Sequence, residues 1–368
     1  MDLITLNEDY QQTKLIENYD SLIWTERFNT IGDFQILSGN VEQFMQLLPE
    51  GTVVSLRETT VPMIVETHEI VRKKDAPTQI KITGRDFCSI LDRRVSVQSV
   101  IASLAEWQVV VKIPSDVAHY IIYRICVDGL NDVKDIFPAD KVQFITPDDY
   151  LMSTGPNREF SVPRGKLLSA VLGFLQTEAR EDPTTIPPSP AVVPHGIRAM
   201  RPNASGSAIG IEIYKGTDRS SSITFDATRD LLDDGRYLFS KVGSATDAYL
   251  LGDTSAFKMT KGEVAPSGLD RRVILVESTT ESADALKNQG ARALSEAHET
   301  ALFDGSINQD LSPYTYNVDY FLGDIVQTEG DYGLVTKSRI TEYIRSEDAT
   351  GSKAYPTLSA LADQGEAE

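Results

Sequence analysis

The stretch ITGRDFCSILD, residues 82–92, passes from an alternating strand pattern into a helical turn. A second stretch, ITFDATRDLLD at residues 223–233, has the same spacing: Ile and Thr are followed, after six residues, by two aliphatic residues and Asp. Two copies of one strand-to-helix corner would give this pattern, although five matched positions can also arise by chance. If the corner is duplicated, the chain contains two related β modules.

An identical pentapeptide, LDRRV, occurs at residues 91–95 and 269–273. The first copy is predicted to end a helix entered from the strand TQIKIT. The second is predicted to follow the turn APSG and to open the strand RRVILVE. Because we expect the two copies to have different backbones, we interpret this identity as accidental.

The first 83 residues are predicted to form mainly short strands, rich in β-branched and aromatic side chains and separated by turn residues. The strands are DLITL, SLIWTERF, DFQIL, TVVSL, VPMIVETHEIV and TQIKIT. One helix, VEQFMQLL, interrupts them, with Asn40 as its N-cap and Pro49 after its end. Six strands and one helix predict a small barrel or sandwich over residues 1–98.

Residues 99–204 change to helical spacing and are predicted to form a helical insertion domain. SDVAHYIIYRIC and VPRGKLLSAVLGFLQTEA both have apolar residues three and four apart, the second with Pro163 in its first turn. The insertion ends in EDPTTIPPSPAVVP, and its five prolines within residues 182–194 predict an extended connector.

Strands return in residues 205–245 and 315–350, which predicts a second β module split by an insertion. These strands are AIGIEIYKG, SSITF, YTYNVDYFLGDIVQTEG and KSRITEYIR. The insertion, residues 246–314, is predicted to contain a strand pair and the helix SADALKNQGARALSEAHETALF. Its apolar face consists of Leu286, Ala293, Leu294, Ala297 and Ala301. Residues 351–368 are predicted to be a C-terminal tail whose last residues, ADQGEAE, are frayed and solvated. The fold class is therefore α+β and β-rich.

The composition is globular, with a large acidic excess. The 368 residues include 54 acidic and 35 basic side chains, and the net charge of −19 argues against a DNA-binding protein that reads sequence. The excess is largest in residues 1–50 and 301–350. Cys88 and Cys126 lie in apolar contexts and are predicted to be buried, reduced thiols. No apolar run reaches the ~18 residues of a membrane span and no signal peptide is recognisable, so we expect synthesis in the cytoplasm.

The sequence contains no recognisable catalytic or metal-binding motif. The two His-Glu pairs, at residues 68–69 and 298–299, are followed at the zincin position by Arg72 and Leu302 instead of His. The acidic pairs Asp148–Asp149 and Asp233–Asp234 lack the ligand spacing of a calcium loop, and we interpret them as solvated turns or helix caps. We predict no cofactor, no metal site and no enzymatic activity.

Four stretches spread over the chain match one family pattern in order. They are YDSLIWTERFNTIGDFQI (19–36), ITGRDFCSILDRR (82–94), IEIYKGTDRSSSITF (211–225) and YNVDYFLGDIVQTEGDYG (316–333). Together they resemble the siphophage tail-hub family, the baseplate-hub or minor tail (Gp37-like) proteins. The resemblance implies two tube-type β-barrel modules per chain with α/β insertion domains.

The residues that match the family pattern are expected to serve folding and contacts between modules. They are Trp24, Gly32, Asp33, Gly84, Arg85, Asp86, Gly216, Asp218, Arg219, Tyr320, Gly323 and Asp324. Gly32 and Gly323 each precede an Asp, which suits turns that need a permissive backbone.

The same resemblance implies a structural role at the tip of a phage tail. The resemblance implies a trimeric ring. In such a ring three chains with two modules each imitate a ring of six and convert a six-fold tube into a three-fold tip. The expected partners are two further copies of the chain, the distal tail protein ring or tail tube, the tape measure protein, and a central tip or fibre protein. DNA is expected to pass through transiently at ejection. Because the chain ends soon after residue 350, we expect no appended hydrolase.

Two questions remain open at this point. A host-envelope carbohydrate-binding or hydrolytic tail protein is the alternative function, but it would need exposed aromatic side chains. Trp24 instead lies in a strand pattern typical of a core, and Trp107 lies in the apolar run AEWQVVV. The acidic excess of the β modules faces either the channel, where it would repel DNA and let it slide, or the outer surface.

Overall fold

The computed structural model of the protein describes residues 1–72, 74, 77–96, 106–128, 145–147, 157–176, 195–202, 208–262, 267–279, 282–297, 300–307, 311–330 and 335–360. One large sheet runs through both predicted β modules, and smaller α/β units lie beside it. The fold is therefore α+β and rich in strands, as the sequence predicts. Within the described residues the sheet does not close on itself, so the two barrels stay a prediction.

The first β module is built from short strands and one α-helix. Its elements are β1 (Leu3–Leu6), β2 (Gln12–Ile16), β3 (Ser21–Arg27), β4 (Asp33–Ser38), α1 (Val41–Leu47), β5 (Val53–Leu56), β6 (Pro62–Val71), β7 (Gln79–Asp86), a 3-10 helix (Phe87–Arg93) and β8 (Val95–Ser96). The six predicted strands and the predicted helix are confirmed. The sequence missed β2 because four of its five side chains are exposed, which removes the apolar alternation. Asn40 occupies the N-cap position of α1, but its side chain makes no capping hydrogen bond.

The region predicted to be a helical insertion is a mixed α/β unit. Its elements are β9 (Glu106–Val111), α2 (Pro114–Tyr123) with a π-helical extension (Arg124–Asp128), β10 (Ile145–Pro147), β11 (Arg158–Pro163), β12 (Gly165–Lys166), α3 (Leu167–Leu175), β13 (Gly196–Met200) and β14 (Ile209–Tyr214). β14 pairs with β10 and β13, so it belongs here and not to the second β module as predicted. The proline-rich connector lies outside the described residues.

The prediction that Pro163 lies in the first turn of a helix is wrong. Pro163 is the last residue of β11, which pairs with β9 alone among the described strands, and α3 begins at Leu167. An edge strand tolerates the missing N–H of proline. The prediction was wrong because the apolar periodicity of the helix was extended too far toward the N-terminus.

The remaining elements complete the large sheet and form a second insertion. They are β15 (Thr224–Asp226), β16 (Leu232–Ser240), β17 (Asp247–Leu251), β18 (Ala256–Thr260), β19 (Val273–Glu277), α4 (Ala283–Glu296), β20 (Thr300–Ile307), β21 (Ile325–Glu329), β22 (Val335–Asp348) and β23 (Gly351–Ala360). The predicted strand pair is a three-stranded sheet of β17, β18 and β19, and α4 packs on one of its faces.

Two predictions for this part of the chain are wrong at their ends. The insertion helix stops at Glu296, and Ala301 lies in β20, because residues 300–307 pair with β16 in the large sheet. Residues 351–360 are not part of a tail: they form β23, which pairs with β22 and β20 and buries Leu358. The segment ADQGEAE lies outside the described residues. In both cases strand pairing with a distant segment overrides the local pattern.

Eight neighbouring strands of the large sheet form a continuous antiparallel ladder. Their order is β16-β20-β23-β22-β3-β4-β7-β6, and every neighbouring pair is antiparallel. Four of these strands come from each half of the chain. The halves meet where β22 pairs with β3, and we call this contact the seam. β5, β1 and β2 continue the path beyond the first residues of β6.

The two strand-to-helix corners predicted from the sequence both exist. β7 and β15 each end at an aspartate, Asp86 and Asp226, whose carboxylate accepts a hydrogen bond from the backbone N–H two residues on and caps a 3-10 helix. The expectation that the LDRRV copies differ in backbone is wrong, because each passes from a 3-10 helix into a strand that begins at its valine. Their surroundings differ instead: Leu91 is 0% exposed and Leu269 is 97% exposed.

One face of the ladder is covered by two apolar clusters, one for each half. Trp24 and Phe34 belong to the first cluster, and Phe225 and Tyr320 belong to the second. A third cluster forms the core of the first insertion and contains both cysteines, which are buried and not joined in a disulfide, as predicted. No helix within the described ranges is long and apolar enough to cross a membrane.

The opposite side of the ladder, which we call the open face, carries the intervening side chains of the same strands. They include Ile23, Thr25 and Arg27 of β3, Asp33 and Gln35 of β4, Thr83 and Arg85 of β7, and Glu342, Ile344 and Ser346 of β22. Most of them are polar or charged and partly exposed, as strand alternation requires when only one face of a sheet is covered.

Candidate functional site

A row of alternating charge crosses five neighbouring strands on the open face. From β22 to β6 its members are Glu342, Arg27, Asp33, Arg85 and Glu66. Arg27 lies between two carboxylates, with Nε 2.6 Å from Glu342 Oε1 and Nη1 2.8 Å from Asp33 Oδ2. Asp33 is directly opposite Arg85 in the register, and Arg85 donates to both oxygens of Glu66 at 2.6 and 3.0 Å. We call this row the charge belt.

Glu66 joins the belt because β6 contains a bulge. The register of β6 on β7 shifts between Val65 and Thr67, which makes Glu66 an extra residue whose carboxylate meets Arg85. Arg93 adds a second cation at 2.8 Å. Burial raises the pKa of Glu66, but the hydrogen bonds from Arg85 and Arg93 outweigh burial and hold the pKa below its ordinary value. Glu66 is therefore ionised at neutral pH.

Both arginines of the belt are charged and are held by two carboxylates each. Burial lowers the pKa of Arg27, but its hydrogen bonds to Asp33 and Glu342 outweigh burial and raise the pKa above its ordinary value. The hydrogen bond to Glu66 has the largest effect on Arg85 and raises its pKa as well. Arg85 Nη1 also lies 3.3 Å from Asp92. The belt therefore contains two groups of ion pairs: one ties β22, β3 and β4 together, and the other ties β7 to β6. Asp33 faces Arg85 where β4 pairs with β7.

A cavity of about 380 Å³ opens on the open face beside the belt. Asp33, Glu66 and Arg85 form its charged walls, and Ile23 and Phe34 contribute apolar surface. Each of the three charged groups is already paired within the protein. The cavity is thus a notch in a self-compensated surface and not a ready site for an ion.

The first six residues of the family pattern surround the belt. Trp24 is fully buried on the covered face and stacks on Phe34 with ring centroids 5.7 Å apart. At Gly84, a Cβ would come within 1.9 Å of a carbonyl oxygen of β6. At Gly32, a Cβ would lie 2.5 Å from a carbonyl oxygen of β3, and its φ is not positive. The expectation of a permissive turn at Gly32 is therefore wrong, because close backbone packing is what requires glycine there.

Asp86 joins two loops from inside the fold. Its buried carboxylate accepts hydrogen bonds from the backbone N–H of Gly32 at 2.5 Å and of Cys88 at 2.8 Å. These bonds connect the β3–β4 loop to the 3-10 helix that follows β7. Burial raises the pKa of Asp86 to about 7, although both backbone hydrogen bonds and the charge of Arg27 oppose the shift.

The other six residues of the pattern form a second cluster in the other half. The buried carboxylate of Asp324 accepts hydrogen bonds from Thr217 N–H at 2.7 Å, Arg219 Nε at 2.6 Å and Phe321 N–H at 3.0 Å. Asp324 therefore holds two loops together, as Asp86 does in the first half. Asp218 lies in the same loop as Thr217 and Arg219 and carries charge at the surface, where Lys337 Nζ is 3.3 Å away.

Two glycines allow the loops of this cluster to touch. Gly323 has a φ of +87°, which confirms that its turn needs a permissive backbone. A Cβ on Gly216 would lie 1.8 Å from the carbonyl oxygen of Gly323. A Cβ on Gly323 would lie 2.3 Å from the ring of Phe28, which follows β3 in the other half. The second cluster therefore reaches across the seam.

Phe28 contacts both halves and the first insertion, and sequence reasoning missed it. Its ring lies 5.4 Å from the ring of Tyr214 and 5.5 Å from the guanidinium of Arg339. A Cβ on Gly196 would come within 2.4 Å of the same ring. Strand alternation offered a signal, because Phe28 continues the covered side of β3 beyond Trp24.

A buried ion pair crosses the seam a few residues away, and the sequence did not predict it either. Arg345 Nη1 lies 2.6 Å from Glu26 Oε1, and both side chains are almost fully buried. Arg345 stacks over Tyr343, whose ring lies 3.6 Å from that of Tyr316. Tyr320 packs against Tyr316 at 5.7 Å. Alternation along β22 places Arg345 on the same face as Tyr343, and a charge on a covered face needs a partner.

The residues considered for catalysis do not come together. His68 Nε2 lies 2.7 Å from the carbonyl oxygen of Leu48, which is a structural contact. The acidic pair at residues 148–149 and the His-Glu pair at 298–299 lie outside the described residues, and the pair at 233–234 lies on β16. In the part of the chain that the structure describes, no group of three or more His, Cys, Asp and Glu could hold a metal ion.

The chain is similar to phage proteins in sequence and in fold. The family profile described as siphovirus ReqiPepy6 Gp37-like protein matches residues 3–112 and 197–358. No curated protein sequence matches the chain. The tail protein from Neisseria meningitidis MC58 has a TM-score of 0.55 and 10% identity, over 98% of this chain and 97% of that one.

Two further solved structures share the fold. The 43 kDa tail protein of prophage MuSo2 from Shewanella oneidensis has a TM-score of 0.55 and 11% identity, and the match covers 98% of both chains. The prophage tail protein gp18 from Listeria monocytogenes EGD-e has a TM-score of 0.52 and 11% identity, over 99% of this chain and 96% of that one. At such low identity these matches concern the fold alone.

Proposed function

Because the chain belongs to the siphovirus ReqiPepy6 Gp37-like family, we propose that it is a structural protein of the phage tail tip. In this proposal three copies form a ring that continues the channel of the tail tube. Two four-stranded halves in each chain would let three subunits imitate the six-fold symmetry of the tube. The names of the solved tail proteins that share the fold support the assignment to a tail.

The observation that carries the proposal is a ladder of eight strands with two free edges. β16 at one end and residues 67–71 of β6 at the other have no second strand partner among the described residues. Neighbouring strands of the ladder alternate in direction, so its first and eighth strands run in opposite directions. A copy rotated about an axis along the strands therefore places its β16 antiparallel to β6 of its neighbour. Free strand edges pair readily with other chains.

Exposed apolar side chains lie on both free edges. Ile70 of β6 is 50% exposed and Leu238 of β16 is 36% exposed. Pairing of the two edges would satisfy their unpaired backbone groups. The same pairing repeated three times would leave neither of these two edges free in the ring.

A closed ring of three ladders would enclose a wide channel. Roughly 24 strands at ~4.8 Å each give a circumference of about 115 Å and a diameter of about 37 Å, which strand tilt would widen. The apolar clusters and the first insertion pack on the covered face and at the strand ends, so the open face would line the channel. DNA would pass along it at ejection.

The ring would have different protein partners on its two sides. We propose the distal tail protein ring or the tail tube on one side, and a central tip or fibre protein on the other. The tape measure protein would lie at the channel before ejection. We also propose that the chain is not an enzyme, so the purified protein should release nothing from peptidoglycan or polysaccharide, with or without zinc or calcium.

Crosslinking at the free edges tests the ring. A variant with Val71→Cys and Leu238→Cys, two positions on the open face, treated with a short thiol crosslinker, should give covalent species up to a trimer and no larger. The same trimer should be seen in the mass of the assembled protein, alone or with its tail neighbours. The Val71→Cys and Leu238→Cys single variants are matched controls and should not give the trimer. A two-fold dimer or a six-membered ring would overturn the proposal.

A further inference from the structure

Both arginines of the charge belt are held by carboxylates of the same surface. Arg27 lies between Asp33 and Glu342, and its Nη1 also donates to the carbonyl oxygen of Ile31 at 3.1 Å. Arg85 lies between Glu66 and Asp92. The two arginines come from neighbouring parts of the ladder, and their carboxylate partners come from both halves of the chain.

Without these partners the arginines could bind phosphate. Their side chains are 21% and 34% exposed, so the guanidinium groups are not shut away from solvent. A guanidinium matches phosphate in a bidentate geometry, and every phosphate contact adds affinity through counterion release. In a ring of three, one freed arginine per chain would supply three phosphate contacts around the DNA in the channel.

We propose that the carboxylates of the charge belt keep Arg27 and Arg85 from binding phosphate, so that the channel wall does not retain passing DNA. This inference rests on the ring proposed above. The wall would then be charge-compensated, in place of the acidic wall that was one of the two alternatives left open by the sequence. Lys81, on the same face, is likewise 3.8 Å from Glu69. Exposed acidic residues of the first module, such as Glu17 and Asp20, lie in turns beyond the open face.

The test frees Arg27 and measures DNA binding. The variant Asp33→Asn with Glu342→Gln removes both of its carboxylate partners. The first control, Glu42→Gln with Glu50→Gln, removes the same charge from exposed positions outside the open face. The second control adds Arg27→Gln to the first variant, which removes the freed cation. Each protein is titrated with a short linear DNA duplex and with a covalently closed circle of similar composition, at several salt concentrations.

Wild type and both controls should not bind measurably. The variant with Arg27 freed should bind the linear duplex with a log–log salt slope of about −2.7 for three contacts, which is a roughly 40-fold loss of affinity between 50 and 200 mM salt. It should not bind the closed circle, which cannot enter the channel.

Three results would overturn the inference. They are no gain over the charge-matched control, a gain that survives Arg27→Gln, and equal binding of circle and linear duplex. If the first variant fails to form the ring, Glu66→Gln with Asp92→Asn frees Arg85 and is subject to the same criteria. The mass of the wild-type assembly is read in parallel. A ring that forms without the DNA effect refutes the inference alone, whereas the absence of a ring refutes the proposed function.

Discussion

Replacement of Gly323 by alanine should destabilise the protein strongly, because two separate effects meet at this position. The φ of +87° is unfavourable for any residue with a Cβ. The new methyl group would also lie 2.3 Å from the ring of Phe28, so that ring or the loop must move. Phe28 has little freedom to move, since it also packs against Gly196 and Tyr214.

The size of the effect follows from these two contributions. A left-handed backbone costs a residue with a side chain about 1–2 kcal/mol, and overpacking of a filled core costs about 1–3 kcal/mol. Gly323→Ala should therefore lower the free energy of unfolding by about 2–5 kcal/mol. Because Phe28 follows β3 and Gly323 precedes β21, the substitution should weaken the packing between the two halves of the chain near the seam.

Urea unfolding of three variants separates the contributions. Gly51→Ala has a φ of +86° but no atom within 4 Å of the new Cβ, so it should show only the backbone cost. Gly210→Ala has neither strain nor a close neighbour and should be nearly neutral. The argument is refuted if Gly323→Ala loses no more stability than Gly51→Ala.

Three further changes test the buried groups. Glu26→Gln or Arg345→Met alone should lower the free energy of unfolding by about 3–5 kcal/mol, because each leaves one buried charge unpaired. In a double-mutant cycle, the double variant should recover part of that loss. Additive losses would contradict the buried pair. Tyr320→Phe should leave the free energy of unfolding unchanged or raise it by ~1 kcal/mol, because the buried Tyr320 hydroxyl has no hydrogen-bond partner in the described part of the chain. A clear loss of stability would instead reveal a partner. Burial raises the pKa of Asp86 from 3.8 to about 7, so between these pH values the folded state holds a proton that the unfolded state has lost. The free energy of unfolding should therefore fall as pH rises from about 4 to about 7. Urea unfolding at pH 5 and pH 8 should show a smaller fall for Asp86→Asn than for wild type, and an equal fall would contradict this assignment.

Strands with one covered face could be predicted from the sequence, and strands defined by distant partners could not. β3, β4 and β7 alternate apolar and polar residues, and each was predicted near its observed bounds. β2 is exposed on both faces, so it carries no periodic signal. β20 and β23 are set by their pairing with β16 and β22, which no local pattern contains.

The family pattern identified positions of close packing, but it did not identify most of the charged residues that form the belt on the open face. Gly84, Gly216 and Gly323 were among the predicted residues, and each lies where another chain segment leaves no room for a Cβ. The charge belt was only partly predicted. Asp33 and Arg85 belong to the pattern, but Arg27, Glu66 and Glu342 do not. The belt depends on the β22–β3 register and on the bulge at Glu66, and both are properties of strand pairing.

The two Gly-Asp pairs of the pattern indicate what the two halves of the chain have in common. Asp33 follows Gly32 but points to the open face and pairs with Arg27, whereas Asp324 follows Gly323 and is buried. In the first half it is Asp86, on a different strand, that accepts backbone N–H groups from inside the fold. Loop N–H groups at the end of a sheet need an acceptor when they are buried, and a carboxylate can satisfy several at once. Each half therefore meets the same requirement with an aspartate from a different position.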